Sequence, residues 1–424
     1  MGRRYRRLAR LAAVSAVTAM TAAACSSITG GSTTTTGATG PSGNPVTIGI
    51  SLPLTGQFQA DGQATQNGYQ LWASDVNAHG GLLGRPVKLV ILDDKSDPGR
   101  TAKDYTTLIT TDHVDLTAAP FSSLLTVSAT QVTTKHGYVL PAGSAGAPAV
   151  YGLNSHYLFS TNVPVVNQML PVVDWIRSLP LSQRPATAAY PMVDDPFADP
   201  PVQTAMKYLP ALGVRTVYSQ IYNASSSPAQ LAKDAAAVAN LHPQMVVLGS
   251  VDVPTVSTFI NTFAKMNYNP KVFLAAAGPD QGQAFINAVG TGNAPGVMVP
   301  NGWYGAYPNA LSHVMVQDYI AKFGGTASDI NADVAEAYGA GQVLAAGVSG
   351  AGSLNNAKIA AWLHAHNVQT VTGPVRFAAN GENLDAQSSA LIFQWQPGQH
   401  FVQVLPPNTP GSVGLTYPKP GWGG

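Results

Sequence analysis

The sequence predicts an α/β protein of two doubly wound lobes. Strand-like and helix-like segments alternate along most of the chain, the pattern of parallel sheets covered by helices. The stretch 87–92 is apolar except for Lys88, as expected of a strand buried on both faces. The 424 residues also exceed what one ordinary core organises.

The first repeat of the pattern spans 46–98. Val46, Ile48, Ile50 and Leu52 alternate as a strand entering a core. Pro53 stops that strand, and a polar loop runs from Leu54 to Gly62. Ala64, Gly68, Leu71, Trp72 and Val76 recur at helical spacing, which predicts an amphipathic helix over 61–77. His79-Gly80-Gly81 ends it. Asp93-Asp94 then stand at the carboxyl end of the next strand, either as a carboxylate pair or as turn caps. Such right-handed βαβ units build open sheets whose ligands lie at the strand ends.

The rest follows in order. A helix is expected over 99–111, a strand over 114–119 and a helix over 124–136. The loop Pro120-Phe121-Ser122-Ser123 therefore precedes a helix N-terminus, where free N–H groups face an anion. Ser123 is equally a good helix cap. A strand over 138–141 leads to the small-residue loop Ala142-Gly143-Ser144-Ala145, beside the first loop. Beyond 162, helices are expected over 167–179, 202–212, 227–240 and 256–266, with strands over 186–190, 216–222, 245–249 and 272–275. Their strand-end loops carry Asp194, Phe197, Asp252 and Asp280. A strand over 297–300 precedes Trp303 and Tyr304, which either wall a cleft or pack a core. Helices over 312–323, 331–350 and 358–366 return to the first lobe. A hairpin of 389–396 and 400–405 ends the fold, and the Pro/Gly-rich tail 409–424 is expected to be flexible.

Composition excludes several classes. Lys and Arg total 22 against 21 acids, and no basic stripe exists beyond the N-terminus, so nucleic acid is not expected. Phosphate loops, dinucleotide fingerprints, zinc-protease motifs and nucleophile elbows are absent, so neither an enzyme, a cofactor nor a metal is expected. His364 and His366 are two apart on a helix and do not share a face.

The N-terminus reads as a targeting segment. Arg3, Arg4, Arg6, Arg7 and Arg10 precede a short apolar stretch, and 1–24 is expected to be removed. Ala22-Ala23-Ala24-Cys25 resembles a bacterial lipobox. Cys25, the single cysteine, is then either a lipidated anchor or a buried thiol; the Ser/Thr/Gly stretch 25–45 suits a tether. Export by the general or the twin-arginine route stays open.

The strings ISLPLTG, the helix ending in NAHGGLLGRPVKLV, and DDKSDP together resemble the branched-chain amino-acid type of periplasmic binding protein, the type I solute-binding proteins of ATP-binding-cassette importers. The resemblance is strong over 46–145 and collinear to about 405. It implies a multi-stranded hinge, with 46–162 and 303–372 as one lobe and 163–302 and 373–408 as the other. It implies capture of a small amino acid, amide or related carboxylate by hinge closure, by a monomer held on the outer face of the cell membrane. The implied partner is the membrane permease of an importer. A sensor that signals to a membrane receptor is the alternative, and an enzyme on the same scaffold a further one.

The resemblance also implies a site. Ser122 and Ser123, with Ala142 and Ser144, would hold the ligand's carboxylate and amino groups. Phe58 would join them from the first loop. Asp280 would meet an ammonium from the second lobe, and Asp252 and Asp194 would lie nearby. Phe197 stands where the family has a tyrosine step, which leaves no hydroxyl at that point.

Overall fold

The computed structural model describes residues 41–386 and 390–423. The expected leader, Cys25, most of the tether and Ser389 lie outside these residues. Residues 41–45 dock on the turn after the first helix. The Ser42 N–H donates to Gly84 O at 3.0 Å, and the Arg85 guanidinium donates to the carbonyls of Asn44 and Pro45.

Lobe 1 opens with β1 (Val46–Leu52), α1 (Gln59–Ala78), β2 (Val87–Asp93), α2 (Pro98–Thr110), β3 (Leu116–Thr117), α3 (Ser123–His136), β4 (Leu140–Ala142), α4 (Pro148–Tyr151) and β5 (Leu158–Ser160). The parallel sheet runs β2-β1-β3, with Val46 opposite Val87 and Ile48 opposite Leu116. The β4–β5 pair continues beside it, because the Ala119 N–H reaches Pro141 O at 2.9 Å.

Lobe 2 contains α5 (Leu170–Ser178), β6 (Thr187–Val193), α6 (Asp199–Tyr208), β7 (Arg215–Tyr222), α7 (Pro228–Asn240), β8 (Met245–Leu248), α8 (Val253–Lys265), β9 (Val272–Ala275), α9 (Gly282–Val289) and β10 (Val297–Asn301). The chain then returns to lobe 1 as α10 (Ala310–Phe323), α11 (Ala332–Ala351), α12 (Asn356–Ala365) and the hairpin β11 (Val368–Thr370) and β12 (Gly373–Val375). It closes in lobe 2 with β13 (Leu391–Gln396) and β14 (His400–Leu405), giving a sheet ordered β14-β13-β10-β9-β8-β6-β7.

Each lobe has its own core. In lobe 1, Ile48, Ile50, Tyr69, Trp72 and Leu344 bury one face of the sheet under α1 and α11. Tyr105, Leu108, Ala129 and Leu140 bury the other under α2 and α3. The α1–α11 crossing is close: a Cβ on Gly68 would sit 2.3 Å from Val334 O, so only glycine fits.

Several expectations need correction. The tail is not flexible. Leu415, Tyr417 and Trp422 pack on the lobe 2 core, the Trp422 indole donates to Tyr268 O at 2.6 Å, and Gln394 Nε2 donates to Thr416 O at 3.0 Å. Apolar burial overrides the loop-like composition there. The lobe boundary at 372/373 is also wrong, because it cuts the β11–β12 hairpin. Val375 and Phe377 belong to the lobe 1 core, so the last crossing comes after residue 377. The helix expected over 167–179 starts only at Leu170, with Pro171 in its first turn. The short helix α9 and the hairpin β11–β12 were not expected; both are too brief to show a period. Trp303 packs the core, donating from Nε1 to Ser312 Oγ at 2.8 Å. Asp93 and Asp94 act as turn caps, accepting from Leu54 N and Ser96 N.

Candidate functional site

A cavity lies between the lobes at the carboxyl ends of their strands, where open α/β sheets place ligands. The volume open to the centres of water-sized molecules is about 80 Å³. One water needs ~10–15 Å³ on that measure, so the cavity has room for a small metabolite.

The lobe 1 wall begins at the N-terminus of α3. Ser122 sits there with φ 74° and ψ 150°, a conformation almost confined to glycine that costs about 1–3 kcal/mol. Local bonds hold it: Ser122 Oγ accepts from Leu125 N at 3.3 Å, and its carbonyl accepts from Thr126 N and Oγ1. The strained residue and its neighbour Phe121 both line the cavity, and Phe121 meets Phe58 edge-on at 5.7 Å. Beside them the loop after β4 abuts α11. A Cβ on Gly143 would lie 2.6 Å from the Glu336 carbonyl, so glycine lets the loop reach the helix. There Ser144 Oγ donates to Glu336 Oε2 at 2.8 Å.

Three carboxyls stand on this wall. Asp61 is in the first turn of α1, Asp333 in the first turn of α11, and Glu336 one turn on. Burial pushes Asp61 up to about 7, with the charge of Asp280 adding to it. Burial likewise raises Glu336 to about 8, against the Ser144 hydrogen bond. Asp333 is pushed well above the usual range, by burial first and by the charges of Asp61, Glu336 and Asp280 after it.

The lobe 2 wall is different. Asp280 is its main acid, raised to about 6 by burial against the Gly278 N–H, which donates to Oδ1 at 2.9 Å. Asp195 also lines the cavity, but its Oδ1 accepts the Phe197 N–H at 2.8 Å. Phe197, Asn301 and Gly302 complete this side, with Asn162 and Gln168 at the crossing between lobes. Gln168 is only 8% exposed, and its Oε1 has no hydrogen-bond partner. Two links span the cleft: Gln57 Nε2 donates to Asp252 Oδ2 at 2.7 Å, and Gln281 donates to Asp61 while accepting from Asn331 Nδ2 at 3.0 Å.

Of the residues expected from sequence, Phe58, Ser122, Ser144, Phe197 and Asp280 line the cavity. Four do not. Ser123 points into lobe 1, fully buried with its hydroxyl unpartnered. Ala142 lies in β4, and its carbonyl is taken by Thr161. Asp194 is exposed, and the neighbouring Asp195 faces inward instead. Asp252 caps α8 through Thr255 N at 2.8 Å and meets Gln57 at the rim. Asp61, Asp333 and Glu336 were missed. Their signal was acids on the buried faces of two helices, where an unpaired carboxyl is costly. No group of three or more metal-ligating side chains occurs among the described residues. His364 stacks on His156 with ring centres 4.1 Å apart.

Comparison with known proteins agrees with this geometry. A sequence model of the periplasmic binding protein family matches residues 45–399. The chain is 24% identical over 361 residues to an amino acid binding protein of Pseudomonas aeruginosa, spanning 85% of this chain and 92% of that protein. It is 29% identical over 103 residues to a Leu/Ile/Val-binding protein of Rhizobium johnstonii, 24% of this chain and 28% of that one. A solute-binding protein of an ABC transporter from R. palustris, solved with benzoate, superposes with a TM-score of 0.72 at 18% identity, covering 89% of this chain and 98% of that one. A branched-chain amino-acid transporter substrate-binding protein from Streptococcus pneumoniae, solved with isoleucine, gives 0.70 at 20% identity over 85% and 100%. At such identities these structures speak to fold.

Proposed function

The chain belongs to the periplasmic binding protein family, and on that premise we propose that it captures a small amine-bearing solute by hinge closure and delivers it to the membrane permease of an ABC importer. One observation carries the reading: the cavity is built by both lobes at once, with Ser122, Ser144 and Glu336 on one side and Phe197 and Asp280 on the other. A ligand there touches both walls only when the lobes meet, so it shifts the population toward closure. The role is capture rather than catalysis, as the names of the relatives suggest.

Small-angle scattering tests closure. Titrating the mature protein with the ligand found by thermal-shift screening is expected to shrink its radius of gyration; an unchanged radius would sink the hinge. Loss of uptake when the permease is deleted would separate transport from sensing. We also propose that Cys25 carries the membrane anchor, because it follows a basic, apolar leader. Mass spectrometry of the membrane fraction is expected to find it lipidated, and a free thiol there would end that reading.

A further inference from the structure

The cavity's hydrogen-bonding character points to one charge class of ligand. Its lining is rich in carboxyl acceptors. Asp61, Asp280, Asp333 and Glu336 line it, and no lysine, arginine or histidine is among the described lining residues. The Ser144 hydroxyl is already donated to Glu336, and Gln281 gives its amide to Asp61. At the crossing between the lobes, Gln168 lines the cavity and is more than nine-tenths buried, and its Oε1 accepts from nothing. A buried acceptor without a donor costs about 1–3 kcal/mol, so this carbonyl calls for a donor independently of the acids. The remaining surface is aromatic: Phe58, Phe121 and Phe197 present rings to the same space, and ring faces attract cations.

A zwitterion brings one positive and one negative group, and benzoate brings only a negative one. Neither matches a cavity lined by five carboxyl groups, Asp195 among them, and by no lysine, arginine or histidine. We propose that the ligand is a small organic cation carrying more protonated nitrogens than carboxylates, such as a diamine or a basic amino acid. This rests on the solute-capture reading and sharpens it. Asp280 and Glu336, on opposite walls and each partly exposed, are the groups placed to meet two positive centres, with Gln168 Oε1 accepting a further N–H. Glu336, raised to about 8, holds its proton at pH 7.5 while no cation is near, and a cation displaces it, so binding releases a proton to solvent.

The test is isothermal calorimetry at pH 7.5 with putrescine, agmatine, L-lysine and L-arginine against L-leucine, L-alanine and benzoate. At least one net cation is expected to bind about tenfold or more tightly than every zwitterion and anion. Its heat is expected to change with buffer ionisation enthalpy, as proton release requires. Asp280→Asn and Glu336→Gln should each weaken that cation about ten- to a hundredfold, and Glu336→Gln should reduce the proton release. Circular dichroism melts check that both variants fold. If L-leucine or benzoate binds tightest, the cation inference falls while solute capture stands. Wild-type affinity in both folded variants would overturn it as well. Binding of none of the seven probes would remove both readings together.

Discussion

The two walls of the cavity are built by different rules. Lobe 2 presents loop residues at strand ends, such as Asp280 after β9 and Phe197 after β6. Its one strongly raised lining acid is restrained by a backbone N–H. Lobe 1 adds three acids from the first two turns of two helices, and a serine in a strained conformation. The contrast teaches that one wall is an ordinary strand-end site. The other stores unfavourable charge and backbone strain, which a ligand can relieve.

The largest expected effect is on pH dependence. A carboxyl raised on folding binds more protons folded than unfolded between its two pKa values, so stability falls as pH rises through that window. Asp280 moves from 3.8 to about 6, so its loss is complete soon above pH 6. Asp61 rises from 3.8 to about 7 and Glu336 from 4.5 to about 8, so their losses continue to about pH 8. Urea titrations without ligand are expected to show stability dropping steadily from pH 4 to 8. Asp61→Asn with Glu336→Gln should flatten the part above pH 6, whereas Asp280→Asn should flatten only the part below it. Equal flattening by both would erase the distinction between the walls.

Gly143→Ala is the next in size. Its Cβ would meet the Glu336 backbone at 2.6 Å, and such overpacking costs about 1–3 kcal/mol. Chemical denaturation should show that loss together with weaker ligand binding, since the loop carrying Ser144 must move. A mutant of unchanged stability would mean that the loop and α11 are not held as described.

Ser122→Gly separates strain from contact. Glycine adopts φ 74° freely, so roughly 1 kcal/mol of stability should be gained once the lost cap and the added chain entropy are subtracted. Binding should nonetheless weaken, because the hydroxyl is gone. A destabilised mutant would show that the conformation carries no strain.

Smallest is Gln57→Ala at the exposed rim. Losing its bond to Asp252 should cost closure about 0.5 kcal/mol, seen as a roughly twofold rise in Kd. A tenfold rise would move Asp252 from the rim into the ligand's own contacts.

The sequence carried the βα alternation almost throughout, because runs such as Met245–Leu248 and Val272–Ala275 are long enough to be strands and too short for helices. Cavity residues on strand-end loops were legible for the same reason: Ser122, Ser144 and Asp280 follow strands directly. Asp61 and Asp333 were not, since an acid in a helix's first turn ordinarily caps and solvates that end. Only the crossing of α1 over α11 turns both inward. Asp252 was misplaced because capping a helix and meeting a ligand need the same residue type in the same place. The C-terminal strap was misread because its Pro and Gly content hides three apolar anchors.

That strap has a consequence for how the chain matures. Lobe 2 is completed only by the final stretch, in which β13 covers the edge of β10 and Leu415, Tyr417 and Trp422 cover its core. Lobe 1 likewise waits for α10 to β12. A chain still emerging from the ribosome, or threading through an export channel, therefore has two unfinished cores and an open strand edge, the condition in which chains stick to one another. Neither core is complete until the segments from α10 onward have joined it.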